Sequence, residues 1–119
     1  MAKFLIRADY KSKGIRGLVK EGGSARRAVV KSMVEGLGGK VEAFYFSYGD
    51  TDAYVIVDLP DPIAGLSLAL AVNSTGAVST ATIPLITPEE IDAAAKKIPA
   101  YRAPGEAAPA AKASSRKKR

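Results

Sequence analysis

The stretch that most constrains this chain is Lys40–Asp61, KVEAFYFSYGDTDAYVIVDLPD. It predicts two strands, Lys40–Ser47 and Asp52–Leu59, joined by a turn at Tyr48-Gly49-Asp50-Thr51. Both flanks are rich in β-branched and aromatic residues, and glycine and aspartate punctuate the middle. Pro60 ends the second strand because it offers no ladder N–H. Helical patterns follow on both outer sides, so the hairpin is expected at the centre of a sheet that helices cover.

The rest of the chain supplies those partners. Lys3–Tyr10 alternates Phe4, Ile6, Ala8 and Tyr10 with Lys3, Leu5, Arg7 and Asp9, the period-two pattern of a strand packed on one side. Ile15–Gly39 is helical, with an interruption at Glu21-Gly22-Gly23-Ser24. Ser12 and Ser24 are the expected caps of its two parts. Val30, Met33, Val34 and Leu37 form an amphipathic stripe, and Gly38-Gly39 is the stop signal. Asp61-Pro62 opens a further helix, Ile63–Ser74, as cap followed by proline at the first position. This helix is apolar nearly all round, which places it under cover on several sides or at a subunit contact. Ala77–Leu85 is the fourth strand, and Pro84 points to an edge or a bulge. Thr87-Pro88-Glu89-Glu90 caps a short last helix that runs to about Ile98.

The order strand, helix, strand, strand, helix, strand, with a short extra C-terminal helix, is that of an α+β, ferredoxin-like βαββαβ fold. It implies a four-stranded antiparallel sheet with helices on one face. The expected division is a folded domain over residues 1–98 and a disordered Ala/Pro-rich tail over 99–119. The net charge of +6 belongs mainly to that tail, in which six basic side chains face Glu106 alone. The tail ends in Arg116, Lys117, Lys118 and Arg119, which can hold phosphate backbones non-specifically or simply aid solubility.

Composition removes several chemistries. There is no cysteine and no histidine. Disulfides, thiolate sites and Ser-His or Cys-His nucleophiles are therefore out of reach. No metal site and no cofactor are expected. No signal peptide precedes Phe4, and Ile63–Val72 is about half a bilayer span, so a cytoplasmic protein is the expectation.

A sheet covered on one side leaves the other side to water or to a partner. Alternation assigns Leu5, Arg7 and Asp9, then Tyr54, Ile56 and Asp58, then Thr80, Thr82 and Pro84 to that open face. The second strand is ambiguous, since Val41, Ala43, Tyr45 and Ser47 oppose Glu42, Phe44, Phe46 and Tyr48. A face of this mixture is too apolar for water, and face-to-face packing of two copies is expected.

The pieces KGIRGL at Lys13–Leu18, an arginine at Arg26 or Arg27, GLGGKVEAFYFSYG at Gly36–Gly49, Asp52, VDLPD at Val57–Asp61 and GAVSTATIPLITPEE at Gly76–Glu90 carry a resemblance over Lys3–Ile98. Together they resemble the GYD-domain family. That resemblance implies a small bacterial protein with a dimeric α/β-barrel fold, and it implies no particular activity. The family turn is usually Gly-x-Tyr-Asp, whereas this chain has Gly49-Asp50-Thr51-Asp52. A site built on that tyrosine would be missing here.

Two groups are candidate sites. Gly49 and Asp52 are expected to shape the turn, glycine by a positive φ and aspartate by accepting backbone N–H bonds. Two turn carboxylates, Asp50 and Asp52, are too few oxygens for a metal. Arg7, Tyr54, Asp58 and Thr82 form the candidate ligand site, with Arg as fork, Tyr and Thr as donors and Asp as acceptor or base. The same four also suit an interfacial salt bridge with bystanders. Arg16, Lys20, Arg26, Arg27 and Lys31 are the solvated side of an amphipathic helix. The functions these features allow are a homodimeric small-molecule binder, a cofactor-independent oxygenase or isomerase using the sheet face, and a nucleic-acid-associated protein acting through the tail.

Overall fold

The computed structural model describes residues 1–107, so Arg116, Lys117, Lys118 and Arg119 lie outside the described residues. The elements are β1 (Ala2–Tyr10), α1 (Ser12–Glu21), α2 (Gly23–Gly36), β2 (Lys40–Phe46), β3 (Ala53–Leu59), α3 (Pro62–Asn73), β4 (Val78–Leu85) and α4 (Pro88–Ala95). The four strands form one antiparallel sheet in the order β2-β3-β1-β4. This is the α+β, ferredoxin-like arrangement. Residues Met1–Leu85 make one compact unit, and the described residues from Ile86 onward belong to a second.

The hairpin is not wholly central. β3 pairs with β1 in the middle, while β2 lies at an edge. The first crossover sets β2 one strand away from β1, β3 then fills the gap between them, and the second crossover lays β4 on the free side of β1. Pro84 lies on the opposite edge strand, where one backbone side needs no ladder donor.

One face of the sheet carries the core. Phe4 and Ile6 from β1 and Val55, Val57 and Leu59 from β3 pack against Val34 of α2 and Ala64 and Leu68 of α3. Val34, Val57 and Leu59 are fully buried, and each contributes about 1.5–3 kcal/mol by leaving water. α3 buries only Ala64, Gly65 and Leu68, leaving Ile63, Leu66 and Leu70 exposed. Gly65 faces the core, and a Cβ there would make ordinary contact, 3.6 Å from both Phe4 and Leu59.

A bulge resolves the ambiguity of β2. The register to β3 slips between Val41 and Ala43, so Glu42 is the extra residue. Val41, Phe44 and Phe46 thereby pair with Val57, Val55 and Ala53 on the helix-covered face, and Ala43 and Tyr45 fall on the other. Strict alternation across the strand cannot produce that division.

The helix caps follow local chemistry, with two corrections. The Asp61 side chain accepts from the Ala64 amide at 2.9 Å with Pro62 behind it, and Thr87 and Glu90 close a reciprocal capping box. Neither Ser12 nor Ser24 is a cap: Lys11 and Gly22 hold those positions. The break needs Gly22 because its φ of 90° and ψ of 158° are open essentially to glycine alone. α4 stops at Ala95, short of Ile98, with a turn through Lys97. Beyond it, Arg102 and Ala103 bond to Glu106 in a local turn.

Gly39 enters β2 under a tight ceiling. A Cβ there would come 2.2 Å from the Asp58 carbonyl oxygen and 2.8 Å from Leu59 Cδ2. Backbone cannot move aside as a side-chain tip can, so Gly39→Ala is expected to destabilise the fold by about 1–3 kcal/mol. A lowered urea midpoint with an unchanged m-value would be the signature.

Candidate functional site

The two faces of the sheet offer different chemistry. On the open face the register places residues in three cross-strand rows: Leu85, Lys3, Asp58 and Lys40; Ile83, Leu5, Ile56 and Ala43; Ala81, Arg7, Tyr54 and Tyr45. Arg7 and Tyr54 are thus direct neighbours, and both are exposed. Asp58 is held by Lys3, whose Nζ is 2.9 Å from Oδ1 and also pairs with Glu42. Those two carboxylates push the Lys3 ammonium above the usual lysine range, Asp58 most strongly.

Thr82 is not with them. It pairs with Ile6, and Thr80 pairs with Ala8, so both threonines face the helices. The assignment of β4 is therefore reversed: Ser79, Ala81, Ile83 and Leu85 take the open face. The reason is that Val78 is the buried anchor of this strand, set opposite Tyr10. Residues two and four further on follow it inward. Apolar content cannot reveal this, because both faces of β4 carry small or β-branched residues.

The hairpin turn also differs from expectation. Gly49 does not adopt a positive φ. Its N–H donates to Ser47 Oγ at 3.2 Å, and the loop from Ser47 to Asp52 is long enough to reverse without a left-handed residue. Asp52 acts across the sheet instead. Its carboxylate accepts from the Tyr10 amide at 2.8 Å, and its own amide donates to the Ala8 carbonyl at 3.0 Å. The hairpin tip is thereby tied to the end of β1. Thr51, beside Asp52 in this loop, is only 5% exposed.

A concave feature of this unit lies on the helix side, between α2 and α3 above the sheet. It is a cavity of about 50 Å³ whose floor comes from β1, β3 and β4 and whose walls include Val30, Met33, Phe44, Leu68 and Val72. Its polar members are Tyr10, Arg26, Thr80 and Thr82. Phe46 stands beside Tyr10, their rings 6.5 Å apart, and meets Phe44 edge-on at 5.1 Å. A Cβ on Gly23 would sit 3.0 Å from the Phe46 ring, so glycine at the start of α2 admits that aromatic.

Arg26 is the unusual residue of this group. Its side chain is 27% exposed, and its Nε is buried with no hydrogen-bond partner. Its nearest acid is Glu21 at the end of α1, 3.6 Å from Nη1. Burial pushes the Tyr10 phenol above the usual tyrosine range, the Arg26 guanidinium beside it pulls it back, and Glu21 and Asp52 add to the rise. Tyr10 is therefore a neutral hydroxyl near neutral pH, able to donate and to accept. The Thr80 hydroxyl accepts from Asn73 Nδ2 at 2.8 Å and keeps its own hydrogen for another partner. Helical periodicity placed Arg26 on the solvated side of its helix. The signal that could have found it is its position in the first turn after the Gly22-Gly23 break, where α1 gives way to α2.

Among the described residues no group of three or more Asp or Glu side chains is placed to hold a metal ion, and no helix is long and apolar enough to cross a membrane. An antiparallel βαββαβ sheet with one helix-covered face and one open face defines the class as ferredoxin-like. The family model of the GYD domain matches residues 4–95, and the chain belongs to the GYD-domain family. No match was found among curated proteins or among solved structures.

Asp52→Ala is expected to cost about 1–3 kcal/mol, since it strands the part-buried Tyr10 amide. Gly49→Ala, with ordinary contacts and no strained φ, should change stability by less than about 0.5 kcal/mol. Thermal or urea unfolding of the pair separates the two roles.

Proposed function

We propose that this GYD-domain protein is a homodimeric small-molecule-binding protein. Two copies pack open face to open face as an α/β-barrel, and each protomer takes a ligand into the cavity between its sheet and its helices. The observation that carries the binding role is that cavity, whose lining is apolar apart from four convergent polar side chains. The dimer is supported by the middle row of the open face, where Ile83, Leu5, Ile56 and Ala43 run side by side across all four strands. Charged rows flank it: Lys3, Asp58 and Lys40 on one side and Arg7 on the other. An apolar centre with a polar rim is the anatomy of a protein interface. Arg7, Tyr54 and Asp58 belong to that rim in this proposal, and the ligand lies on the opposite side of the sheet.

Ile83 is 37% exposed in the single chain, so a charge there is tolerated by the monomer and opposed by the dimer. Wild-type protein is expected to elute as a dimer by light scattering at micromolar concentration. Ile83→Glu is expected to shift it to monomer with an unchanged circular-dichroism spectrum. A wild-type monomer would remove the barrel. Thermal shifts with small organic compounds report on the cavity, and a Val72→Trp variant that fills it is expected to lose them.

A further inference from the structure

We propose that the outward face of α1 binds anionic lipid, and that the protein associates with membrane surfaces through it. Neither the cavity nor the dimer is needed for this role.

Charge is unevenly placed within the compact unit Met1–Leu85. Residues 11–36, which include α1 and α2, hold seven basic side chains and two acidic ones. The other residues of the unit hold three basic and six acidic. A field of one sign over one pair of helices draws anions toward it. Of the two helices, α1 is the more open, for it buries no residue.

The packing of α1 decides which of its side chains look outward. A Cβ on Gly14 would overlap the Ala77 carbonyl oxygen, so the helix lies flush there, and Leu18, one turn on, is half-buried. On the other side Lys13, Arg16 and Lys20 follow at i, i+3 and i+7 and form one exposed stripe. Ile15 and Val19, one turn apart, run beside it, and Val19 is 79% exposed. Glu21 is the only acid of α1, and it lies against Arg26. Among the described residues no carboxylate is within ion-pair distance of Lys13, Arg16 or Lys20.

The apolar pair distinguishes between anionic partners. A nucleic-acid backbone would use the three cations and leave Ile15 and Val19 idle. α1 carries no aromatic and no amide side chain with which to stack on a base or read one. A bilayer of anionic lipid uses both strips: headgroup phosphates meet the cations, and the two apolar side chains enter the boundary below them. Each cation held at such a surface raises binding about fivefold, so the three together contribute about a hundredfold.

The test uses the full chain, with vesicles of phosphatidylcholine alone and of phosphatidylcholine and phosphatidylserine in equal parts. Co-sedimentation is expected to show at least tenfold stronger partition onto the anionic vesicles, falling as salt rises. Lys13→Gln, Arg16→Gln and Lys20→Gln combined should weaken it about a hundredfold, and Val19→Ser severalfold. Replacing Arg116, Lys117, Lys118 and Arg119 by Ala should cost less than that triple change. The replaced α1 side chains are exposed, so the circular-dichroism spectrum and unfolding midpoint should not move. Lys20→Gln alone, expected to cost about fivefold, keeps the test decisive should the triple change disturb the helix. No partition onto anionic vesicles, or equal partition onto both kinds, would overturn the proposal. So would partition that survives the α1 changes and is lost with the tail cations. A short DNA duplex is the rival partner. If it binds more tightly than the anionic vesicles, and Val19→Ser alters neither, the face belongs to nucleic acid and the lipid reading fails.

Discussion

The distance at which α3 settles on the sheet governs the rest of this unit. Ala64 and Gly65, both buried, set the helix backbone over Phe4 and Leu59, at a distance where a Cβ on Gly65 would make ordinary contact. Leu68, one turn further on, then fills the space over the central strands. α2 is held differently. Val34 is fully buried near its C-terminal end, but Arg26 at its other end meets no such surface. The buried residues of α3 lie in its first two turns, and that of α2 lies near its last. The cavity lies between the two helices above the sheet, with Arg26 and Tyr10 among its lining residues.

The same economy shapes the charged groups. Lys3 lies between two carboxylates on the open face, and Asp52 accepts a backbone N–H from the neighbouring strand. Each satisfies a partner that the fold itself supplies. Arg26 is the exception within this unit, since its buried nitrogen has no partner. Cations of a solvated helix face lose little when unpaired, because water replaces the partner. A guanidinium nitrogen closed off from water has no such alternative. The difference between Arg26 and its neighbour Arg27 is therefore one of depth and not of composition.

Much of the fold was legible because it rests on local chemistry. Asp61-Pro62 and Thr87-Pro88 announce their helices through backbone donors that need acceptors, whatever the tertiary context. Phe4, Ile6 and Ala8 alternate cleanly because the other side of β1 carries Arg7 and Asp9. Where both faces of a strand are apolar, that contrast disappears. β4 offered Ala81, Ile83 and Leu85 against Val78, Thr80 and Thr82, and only pairing with β1 decides between them. β2 hid its division behind an extra residue, Glu42, that period-two counting cannot anticipate. The candidate site was harder still. Its residues come from β1, α2 and β4, and no spacing along the chain ties Tyr10 to Arg26 or to Thr82. Thr82 was expected on the open face, and its pairing with Ile6 puts it on the helix-covered one.

The bulge at Glu42 has a further consequence when set beside Pro84. Every open sheet has two rims of unpaired amides and carbonyls on which a foreign strand can add. Here one rim is kinked by the bulge and lined by Lys40 and Glu42, and the other is interrupted by a proline that lacks an amide hydrogen. Both borders resist growth of the sheet by one strand after another. A chain so built is steered away from endless ribbons, while the face-to-face packing proposed above is not hindered by either border.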